Sequence, residues 1–510
     1  MEVHFSLNVI ASFLFLSIFF AFKQWRRSKN PNSGRKLPPG PRKLPIIGNL
    51  HNLIGFVQHR ALRDLARKYG PLIHIQLGEV ETIVVSSSRL AKEITKTHDL
   101  SFADRPELIA WKIITYNGLD FGFSPYGEYW RQSRRLCVQE LLSPKHVRAY
   151  RTIREEEFSD LISNISKQVG NKIDLTSNIL SSTFKSVSRA TFGKVCRDHD
   201  TFVHIIKEVF RLAGGLDVAD LFPSYKILHV LSGTERKMLK LRKKLDLIMD
   251  EVINEHIMMR KLDQSAPAVG GSGSVEDITD VLLRIKDSGD LQIPIGNDNI
   301  KAILFDMFGG GTETSSATVE WAMSEMMKNP HVMVKAKNEI RQAFKGKKKI
   351  DEDDIQCLEY IKLIIKETLR LHPPAPLLGP RQCREECEIE GYKISVGTKV
   401  FINAWAIARD PEYWDDAESF IPERFENNPI DYSGRHYEYI PFGAGRRMCP
   451  GIAFGLANVE LPLALLLYHF DWELPNETKF EDLDMREADG ITSSRKTHLY
   501  LVPTSTLLVE

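Results

Sequence analysis

The chain has 510 residues, of which 43% are hydrophobic and 26% are charged, and its formal net charge is +1. This composition supplies enough apolar side chains for a large folded core, and the balanced charge argues against a nucleic-acid-binding surface. Six cysteines are too few for a disulfide scaffold. Their spacing provides neither a CxxC pair nor a Cys/His quartet for zinc or an iron–sulfur cluster.

The first predicted element is a membrane anchor over residues 3–23. The stretch from Phe5 to Phe22 carries no charge over 18 residues, which is near the lower limit for a helix that spans a bilayer. Six basic residues follow between positions 23 and 36, whereas Glu2 and the α-amino group are the charges before it. The positive-inside rule therefore predicts a cytosolic body. A cleaved signal peptide is the alternative, but the basic cluster lies on the wrong side and no A-x-A site follows.

The rest of the chain is predicted to be a linker and one large domain. A basic and proline-rich linker covers 24–41, and the prolines of its LPPGP stretch resist helix formation. The domain covers 42–510 and shows no internal repeats. Its Gly/Ser-rich stretch at 263–277 predicts a flexible surface connection.

Within the domain, the pattern predicts a mainly α fold with small β-sheets. Strand-like runs at 72–77 and 82–87 are bracketed by glycines and a proline. Helical periods then dominate from about 125 to 375, and extended segments return between about 376 and 405. The last helix is predicted to start near Cys449.

A helix of about 30 residues is predicted over 297–330, and Pro330 marks its end. The three glycines at 309–311 interrupt it, although each glycine in a helix interior costs about 1 kcal/mol relative to alanine. Either the glycines allow close helix packing, or they form a widened turn that leaves room for a small ligand. In the second case Glu313 and Thr314 place an acid next to a hydroxyl, as a proton relay to bound oxygen requires.

The segment 360–374 predicts a helix that carries Glu367 and Arg370 on its apolar face. Residues three apart face each other on a helix, and tyrosine, leucine and isoleucine side chains share that face. A surface ion pair would contribute little to stability, whereas a buried pair needs further partners and fixes geometry. Arg424, in the PERF segment at 422–425, is predicted to be one such partner.

The stretch PFGAGRRMCPG at 441–451 surrounds Cys449 with glycines, arginines and a proline. A helix is predicted to follow it, and the positive end of a helix dipole favours a thiolate. Gly443 lets the backbone approach a flat ligand, Phe442 can shield the sulfur, and Arg447 can meet an acidic substituent. A buried structural cysteine is the commoner case, but it would need no glycines. Together these features favour a thiolate bound to iron in a planar macrocycle.

These stretches resemble the signatures of the cytochrome P450 superfamily. The pattern F-x-x-G-x-R-x-C-x-G over 442–451 resembles its haem-binding motif, and G-G-T-E-T-S over 310–315 resembles its oxygen-activation motif. The Glu-x-x-Arg spacing and the PERF segment resemble its buried ion pair and the segment that joins it. Two departures are mild: Gly310 stands where alanine is usual, and Glu313 where aspartate is also common.

The resemblance implies a cytochrome P450 fold with haem b (iron protoporphyrin IX) as cofactor and Cys449 as the axial iron ligand. The implied haem-binding residues are Phe442, Gly443, Arg447 and Cys449 in the motif, with Trp130, Arg134 and Arg381 as propionate partners. Thr314 and Glu313 are implied to deliver protons for O–O cleavage. The resemblance also places a set of mainly apolar residues against a small hydrophobic substrate. They are Phe305, Phe308, Gly309, Ala375, Leu377, Leu378, Ile491 and Thr492.

Finer features, such as FADRPE at 102–107, resemble the plant A-type group, and within it the branch of premnaspirodiene oxygenase and related terpenoid oxygenases. The implied function is a membrane-bound haem-thiolate monooxygenase that hydroxylates a plant sesquiterpenoid or diterpenoid. The same branch holds monoterpene-indole alkaloid hydroxylases, which stay an alternative. The apolar candidate contacts favour a terpenoid, because a protonated alkaloid normally needs a carboxylate or an aromatic cage.

The chain shows no flavin or nicotinamide domain, so O2 chemistry would use NADPH electrons from a separate NADPH–cytochrome P450 reductase. The predicted location is the endoplasmic reticulum membrane, crossed once, with the catalytic domain in the cytosol. A haem isomerase or dehydratase that uses no oxygen is the alternative within the fold, and the Glu313–Thr314 pair argues against it. A non-catalytic haem-binding or sterol-binding membrane protein is the alternative from another class.

Overall fold

The computed structural model describes residues 36–505, except residues 56, 197–198, 213–216, 266–274, 348, 476–477 and 489. The predicted anchor and the linker up to residue 35 lie outside the described residues, as does most of the stretch at 263–277. Within the described part of the chain, one helix, Ile452–His469, is long and apolar enough to cross a membrane, but 67% of it is buried inside the protein.

Helices form most of the described chain. In order they are α1 (Gln58–Tyr69), α2 (Ser88–Lys92), α3 (Ile109–Ile114), α4 (Glu128–Leu136), α5 (Pro144–Ala149), α6 (Arg151–Ser166), α7 (Leu175–Phe192), α8 (His199–Leu212), α9 (Val218–Leu221), α10 (Lys226–Ser232), α11 (Thr234–Ser265), α12 (Ile278–Ser288), α13 (Asn297–Lys328), α14 (Pro330–Ala343), α15 (Glu359–Leu371), α16 (Ala404–Ile407) and α17 (Ile452–His469). Short 3₁₀ helices include Pro422–Phe425 and Gly445–Arg447.

The strands in the described part of the chain are short and form three small sheets. They are β1 (Leu72–Leu77), β2 (Val80–Val85), β3 (Ile173–Asp174), β4 (Arg381–Gln382), β5 (Cys387–Ile389), β6 (Tyr392–Ile394), β7 (Lys399–Ile402), β8 (Phe470–Glu473) and β9 (Tyr500–Ser505). The strand orders are β1-β2-β7-β4, β3-β9-β8 and β5-β6. The β2–β7 pair is parallel and all others are antiparallel. The strand β2 starts at Val80, two residues before the run predicted at 82–87, because the β1–β2 turn is only two residues long.

The long helix α13 crosses the core and packs against α7, α15 and α17. It remains α-helical through the three glycines at 309–311, so the expected widened turn is absent. Two of the glycines face neighbouring side chains instead. A Cβ at Gly309 would lie 3.1 Å from Phe210, and one at Gly311 would lie 3.2 Å from Phe454. A Cβ at Gly310 would meet nothing within 4 Å, so this glycine leaves open space beside the helix.

A buried ion pair joins α15 to the segment that leads to Cys449. Glu367 and Arg370 are both 0% exposed, and two parallel hydrogen bonds of 2.7 and 2.8 Å connect them. The remaining Arg370 N–H groups donate to the carbonyls of Ala408 and Ala417, both at 2.7 Å, and of Ser419 at 3.0 Å. All five guanidinium N–H groups are therefore satisfied, as a buried arginine requires.

The carboxylate side of this pair is equally well used. The Oε1 atom of Glu367 also accepts from the Ile421 amide at 2.9 Å and from Nε of Arg424 at 3.0 Å. Further along, the Tyr439 hydroxyl donates to the Lys366 carbonyl at 2.8 Å. The chain between 408 and 439 is thus held to α15 shortly before it reaches the cysteine loop.

Substituting Glu367→Ala should leave Arg370 charged, buried and short of its main partner. Breaking such a pair costs about 3–5 kcal/mol, so we expect little protein with bound haem, measured by the carbon monoxide difference spectrum. Glu359→Ala is the matched control, because Glu359 forms an exposed pair with Lys362 on the same helix. It should cost less than about 1 kcal/mol. Normal haem content in Glu367→Ala would contradict the prediction.

Candidate active site

Cys449 lies at the end of a tight loop that precedes α17. Gly443 and Gly445 have positive φ angles of 74° and 69°, a conformation that other residues rarely adopt. A Cβ at Gly445 would also lie 2.2 Å from the Thr95 carbonyl oxygen. The Cys449 amide donates to the Phe442 carbonyl at 2.9 Å, which closes the loop. The glycines are therefore required by the backbone that presents the cysteine.

The Cys449 thiol lies just before α17, which begins at Ile452. The thiol is accessible from an internal cavity, but protein surrounds it, and this burial raises its pKa. A hydrogen bond from the Gly451 backbone and the charge of Arg134 lower the pKa. The predicted stabilisation of a thiolate at the helix end is thus present, but burial outweighs it. A coordinated metal ion would deprotonate the thiol outright.

Cys449 borders two adjoining cavities, of about 280 Å³ and about 120 Å³. Gly310 and Thr314 of α13 line both cavities, and so do Phe121 and Phe442. The cysteine and the glycine-rich part of α13 therefore border the same internal space. The open side of Gly310 adds to this space.

Four arginine side chains line the larger cavity, and they are Arg105, Arg134, Arg381 and Arg447. Arg447 donates to the Ser124 carbonyl at 2.6 Å, and Arg381 donates to the Ala444 carbonyl at 2.7 Å. Among the described residues, Arg381 is the one member with a carboxylate in salt-bridge range, Asp99 at 2.9 Å. Backbone carbonyls thus satisfy much of the hydrogen bonding without balancing the charge.

The charge of this arginine cluster is costly in isolation. Burial lowers the pKa of all four side chains, and it lowers that of Arg447 to about 9. The neighbouring charges of Arg447 and Arg381 lower the pKa of Arg105 further. A bound anion would stabilise the charged form of each guanidinium. The arginine cluster therefore has the character of an anion-binding site at one edge of the cavity.

A family model for cytochrome P450 matches residues 38–502. The chain belongs to the cytochrome P450 family. Premnaspirodiene oxygenase of Hyoscyamus muticus is 53% identical over 98% of both chains. Tabersonine 3-oxygenase of Catharanthus roseus is 56% identical over 98% of this chain and 97% of its own. A solved zebrafish cytochrome P450 with abiraterone matches with a TM-score of 0.73 at 22% identity, covering 88% of this chain and 99% of that one.

Cytochrome P450 enzymes are monooxygenases that use haem, O2 and electrons from NADPH, and the residues of this site fit that cofactor. Cys449 offers a sulfur ligand for iron on the cavity side of its loop. The arginine cluster lies at one edge of the same cavity, where two haem propionates could balance its charge. Gly443 and Phe442 line the space between them. When bound, haem supplies the oxygen-activating chemistry, and the protein supplies ligation, orientation and exclusion of water.

The predicted propionate partners come together in the structure. Trp130, Arg134 and Arg381 all line the larger cavity. The guanidinium of Arg447 stacks 4.4 Å from the ring of Trp130. The Trp130 indole N–H donates to the Phe121 carbonyl at 3.0 Å. Trp130 is therefore held within the arginine cluster by both its ring and its N–H group.

Thr314 and Glu313 occupy different environments in this P450. The Thr314 hydroxyl donates to the Gly310 carbonyl at 2.7 Å, so its oxygen keeps lone pairs for a group in the cavity. Glu313 lines neither cavity, because consecutive helical residues point in different directions. Burial raises the pKa of Glu313, although Lys207 and Thr492 lower it, and its Oε2 atom has no hydrogen-bond partner among the described residues. A buried acid with a raised pKa suits a group that carries a proton near neutral pH.

The predicted substrate contacts divide into two groups. Ala375 and Leu378 line the larger cavity. The other six line neither cavity. Phe308 packs among Phe184, Phe192 and Phe202 in the core, with ring centroids 4.6, 5.6 and 4.6 Å away.

The remaining members of this second group also have other neighbours. Phe305 is buried and contacts Trp111 edge-on at 6.1 Å. Thr492 is buried and lies near enough to Glu313 to lower the pKa of that carboxyl group. Leu377 packs partly against the small cluster that contains β1, while Gly309 faces Phe210 and Ile491 is half-buried.

Sequence reasoning missed Arg105 and Asp306. Arg105 completes the arginine cluster. Its position within FADRPE could have marked it as a candidate, although nothing in that stretch shows that the side chain is buried. Asp306 lines the smaller cavity, so Glu313 is not the sole acid near the site. Asp306 lies two turns before Thr314 on the predicted helix, and that spacing could have indicated a shared face.

Substituting Cys449→Ser should remove the sulfur ligand. The reduced, carbon-monoxide-bound protein should then lack the red-shifted Soret band of a haem-thiolate, and turnover should be lost. Cys357→Ser is the control, since Cys357 is exposed and lines neither cavity, and its spectrum should match that of the native chain. An unchanged spectrum in Cys449→Ser would assign the iron to another ligand.

Proposed function

We propose that this cytochrome P450 hydroxylates a sesquiterpenoid or diterpenoid. The observation that carries the proposal is the chemistry of the cavity wall beside Cys449. Away from the arginine cluster, the residues that border α13 and the cysteine loop are mainly apolar or glycine, including Phe121, Ala375 and Leu378. An apolar pocket with few polar groups suits a hydrocarbon-rich ligand.

Asp306 could be expected to attract a protonated amine, but its surroundings favour a different role. Burial and the nearby Asp120 carboxylate raise its pKa well above the ordinary value. Its Oδ2 atom already accepts hydrogen bonds from the Phe121 and Gly122 amides at 2.9 and 3.0 Å. A buried carboxyl group with a raised pKa, which already accepts two backbone hydrogen bonds, offers little compensation to an ammonium ion. This environment supports a neutral substrate.

The relatives support two substrate classes. The terpenoid class is supported by the 53% identity to premnaspirodiene oxygenase. An indole alkaloid is the second candidate, and the 56% identity to tabersonine 3-oxygenase favours it. We prefer the terpenoid because the cavity wall is apolar and because the Asp306 carboxyl group, whose pKa is raised, already binds the backbone.

We assign the following roles in this reaction. Cys449 holds the haem iron, and the arginine cluster with Trp130 holds the propionates. Thr314 positions a proton at the cavity, and Glu313 supplies it from the buried side of α13. Gly310 leaves room for a bulky polycyclic skeleton next to Thr314. The N-terminal segment anchors the protein in the endoplasmic reticulum membrane, and NADPH–cytochrome P450 reductase supplies the electrons from the cytosolic side.

Substituting Thr314→Ala should keep the fold and haem, because this half-buried hydroxyl bonds to its own helix and alanine is a good helix former. Product formed per NADPH should fall while hydrogen peroxide rises, because proton delivery is no longer directed. Thr312→Ala is the matched control. Thr312 makes the same helix bond, 2.8 Å to the Phe308 carbonyl, but lines neither cavity. If the two variants form the same amount of product per NADPH, Thr314 has a structural role and does not direct proton delivery.

The substrate class can be tested in microsomes from yeast that express the full chain with a plant reductase. We expect a type I spectral shift and an NADPH-dependent hydroxylated product with a sesquiterpene or diterpene. The activity should sediment with the membranes and require the reductase. Turnover of an indole alkaloid, with no terpenoid in the panel accepted, would reverse the assignment.

Gly310→Ala provides a steric control for the same panel. The added methyl group would point into open space and should stabilise the helix by about 1 kcal/mol. Product from a bulky polycyclic terpenoid should therefore decrease while a slim acyclic terpenoid is still turned over. Gly309→Ala and Gly311→Ala would instead press on Phe210 and Phe454, and should lower stability for every substrate alike.

A further inference from the structure

One loop, residues 119–124, is held at both its carbonyl and its amide groups. On the carbonyl side, Phe121 accepts from the Trp130 indole at 3.0 Å. Gly122 accepts from Nε of Arg105 at 3.0 Å, and Ser124 accepts from Arg447 at 2.6 Å. The carbonyls of this loop are therefore bound by the arginine cluster and its tryptophan.

The amide side of the loop is bound by two acids. The Phe121 and Gly122 amides donate to Oδ2 of Asp306 at 2.9 and 3.0 Å. The Phe123 amide donates to Oδ2 of Asp120 at 2.6 Å. Three successive amides thus depend on two carboxyl groups, one from α13 and one from the loop itself.

These two carboxyl groups are close and deeply buried. A Cβ at Gly122 would lie 3.5 Å from Asp120 Oδ2 and from both oxygens of Asp306. Asp120 is 0% exposed, and its Oδ1 atom has no hydrogen-bond partner in the described structure. Two like charges in a shared apolar site favour a state in which one group is protonated.

We propose that Asp306 is a positioning residue, which holds one proton jointly with Asp120 and fixes the 119–124 loop so that Phe121 forms a wall of the haem cavity. Phe121 lines both cavities beside Cys449 and Thr314. Asp306 acts on the reaction through this wall and needs no contact with the substrate. The proposal depends on the P450 site and not on the substrate class.

Burial favours a single proton on the pair despite the cations nearby. Burial raises the pKa of Asp120 to about 6, and burial followed by the Asp120 charge raises that of Asp306 well above its ordinary value. Arg447 and Arg105 are the cations that act on Asp120. Tyr129 and Cys137 are the other titratable groups affected by the pair, and burial raises the pKa of both. The pKa of both carboxyl groups thus stays raised although two cations lie near Asp120, which favours one shared proton.

The test uses the full holoprotein and two haem-iron ligands of different size, imidazole and 4-phenylimidazole, with spectral titration. In Asp306→Ala the loop loses the two hydrogen bonds that its amides donate to Asp306. We therefore expect the Kd of 4-phenylimidazole to rise about tenfold, because its phenyl ring packs against Phe121. Imidazole, which needs the iron alone, should bind as before. Asp306→Asn should match the native chain for both ligands, because an amide replaces a neutral carboxyl group. Asp298→Ala, at an exposed position of α13, is the control.

A double-mutant cycle separates positioning from general support. Phe121→Ala should weaken 4-phenylimidazole about as much as Asp306→Ala does, and the double variant should show little further loss. If Asp306→Ala fails to retain haem, Asp306→Asn and Phe121→Ala decide the matter by the same measurements. Native 4-phenylimidazole binding in Asp306→Ala, additive losses in the double variant, or loss of haem or azole binding in Asp306→Asn would each overturn the proposal.

Discussion

The geometry of the active site depends on the buried Glu367–Arg370 pair. Burying both charges has a large desolvation cost, and full hydrogen bonding offsets it. That requirement brings three carbonyls between 408 and 419 onto Arg370, and the Ile421 amide and Arg424 onto Glu367. The pair thereby fixes the segment from 408 to 421, most of which lies outside regular helices and strands. The cysteine loop follows this segment along the chain, so the position of the segment determines the position of the loop.

A second constraint comes from positive charge. The arginine cluster places four guanidinium groups along one cavity, and among the described residues Arg381 alone of the four has a carboxylate within salt-bridge distance. Two of these arginines, Arg105 and Arg447, bind carbonyls of the 119–124 loop, whose amides are bound by Asp306 and Asp120. The arginine cluster and the cavity wall therefore share one loop. A change in the charge of the cluster should be transmitted to Phe121 through the backbone.

The helix α13 meets two opposing demands at the cavity. It must stay α-helical to support Thr314, yet it must leave open space beside that residue. The structure meets both by omitting one side chain at Gly310, while Gly309 and Gly311 admit Phe210 and Phe454. A glycine triplet weakens an isolated helix, but packing on both sides stabilises this one. The open space at Gly310 therefore depends on residues of low helix propensity, and packing in the surrounding core offsets their cost in stability.

The sequence by itself determined the features that rest on short-range geometry. The Glu-x-x-Arg pair follows from helical periodicity, the cysteine loop from its glycines before a helix start, and the long helix from the stretch over 297–330 that ends at Pro330. Family, cofactor chemistry and the mainly α class followed from these motifs in order. The tertiary structure decided which distant residues meet. Arg105 joins the arginine cluster and Asp306 meets Asp120 because burial and charge pairing arise from packing between elements, which local periodicity does not encode. The same packing put Phe308 into the core, since one helical face can serve either a cavity or its neighbours.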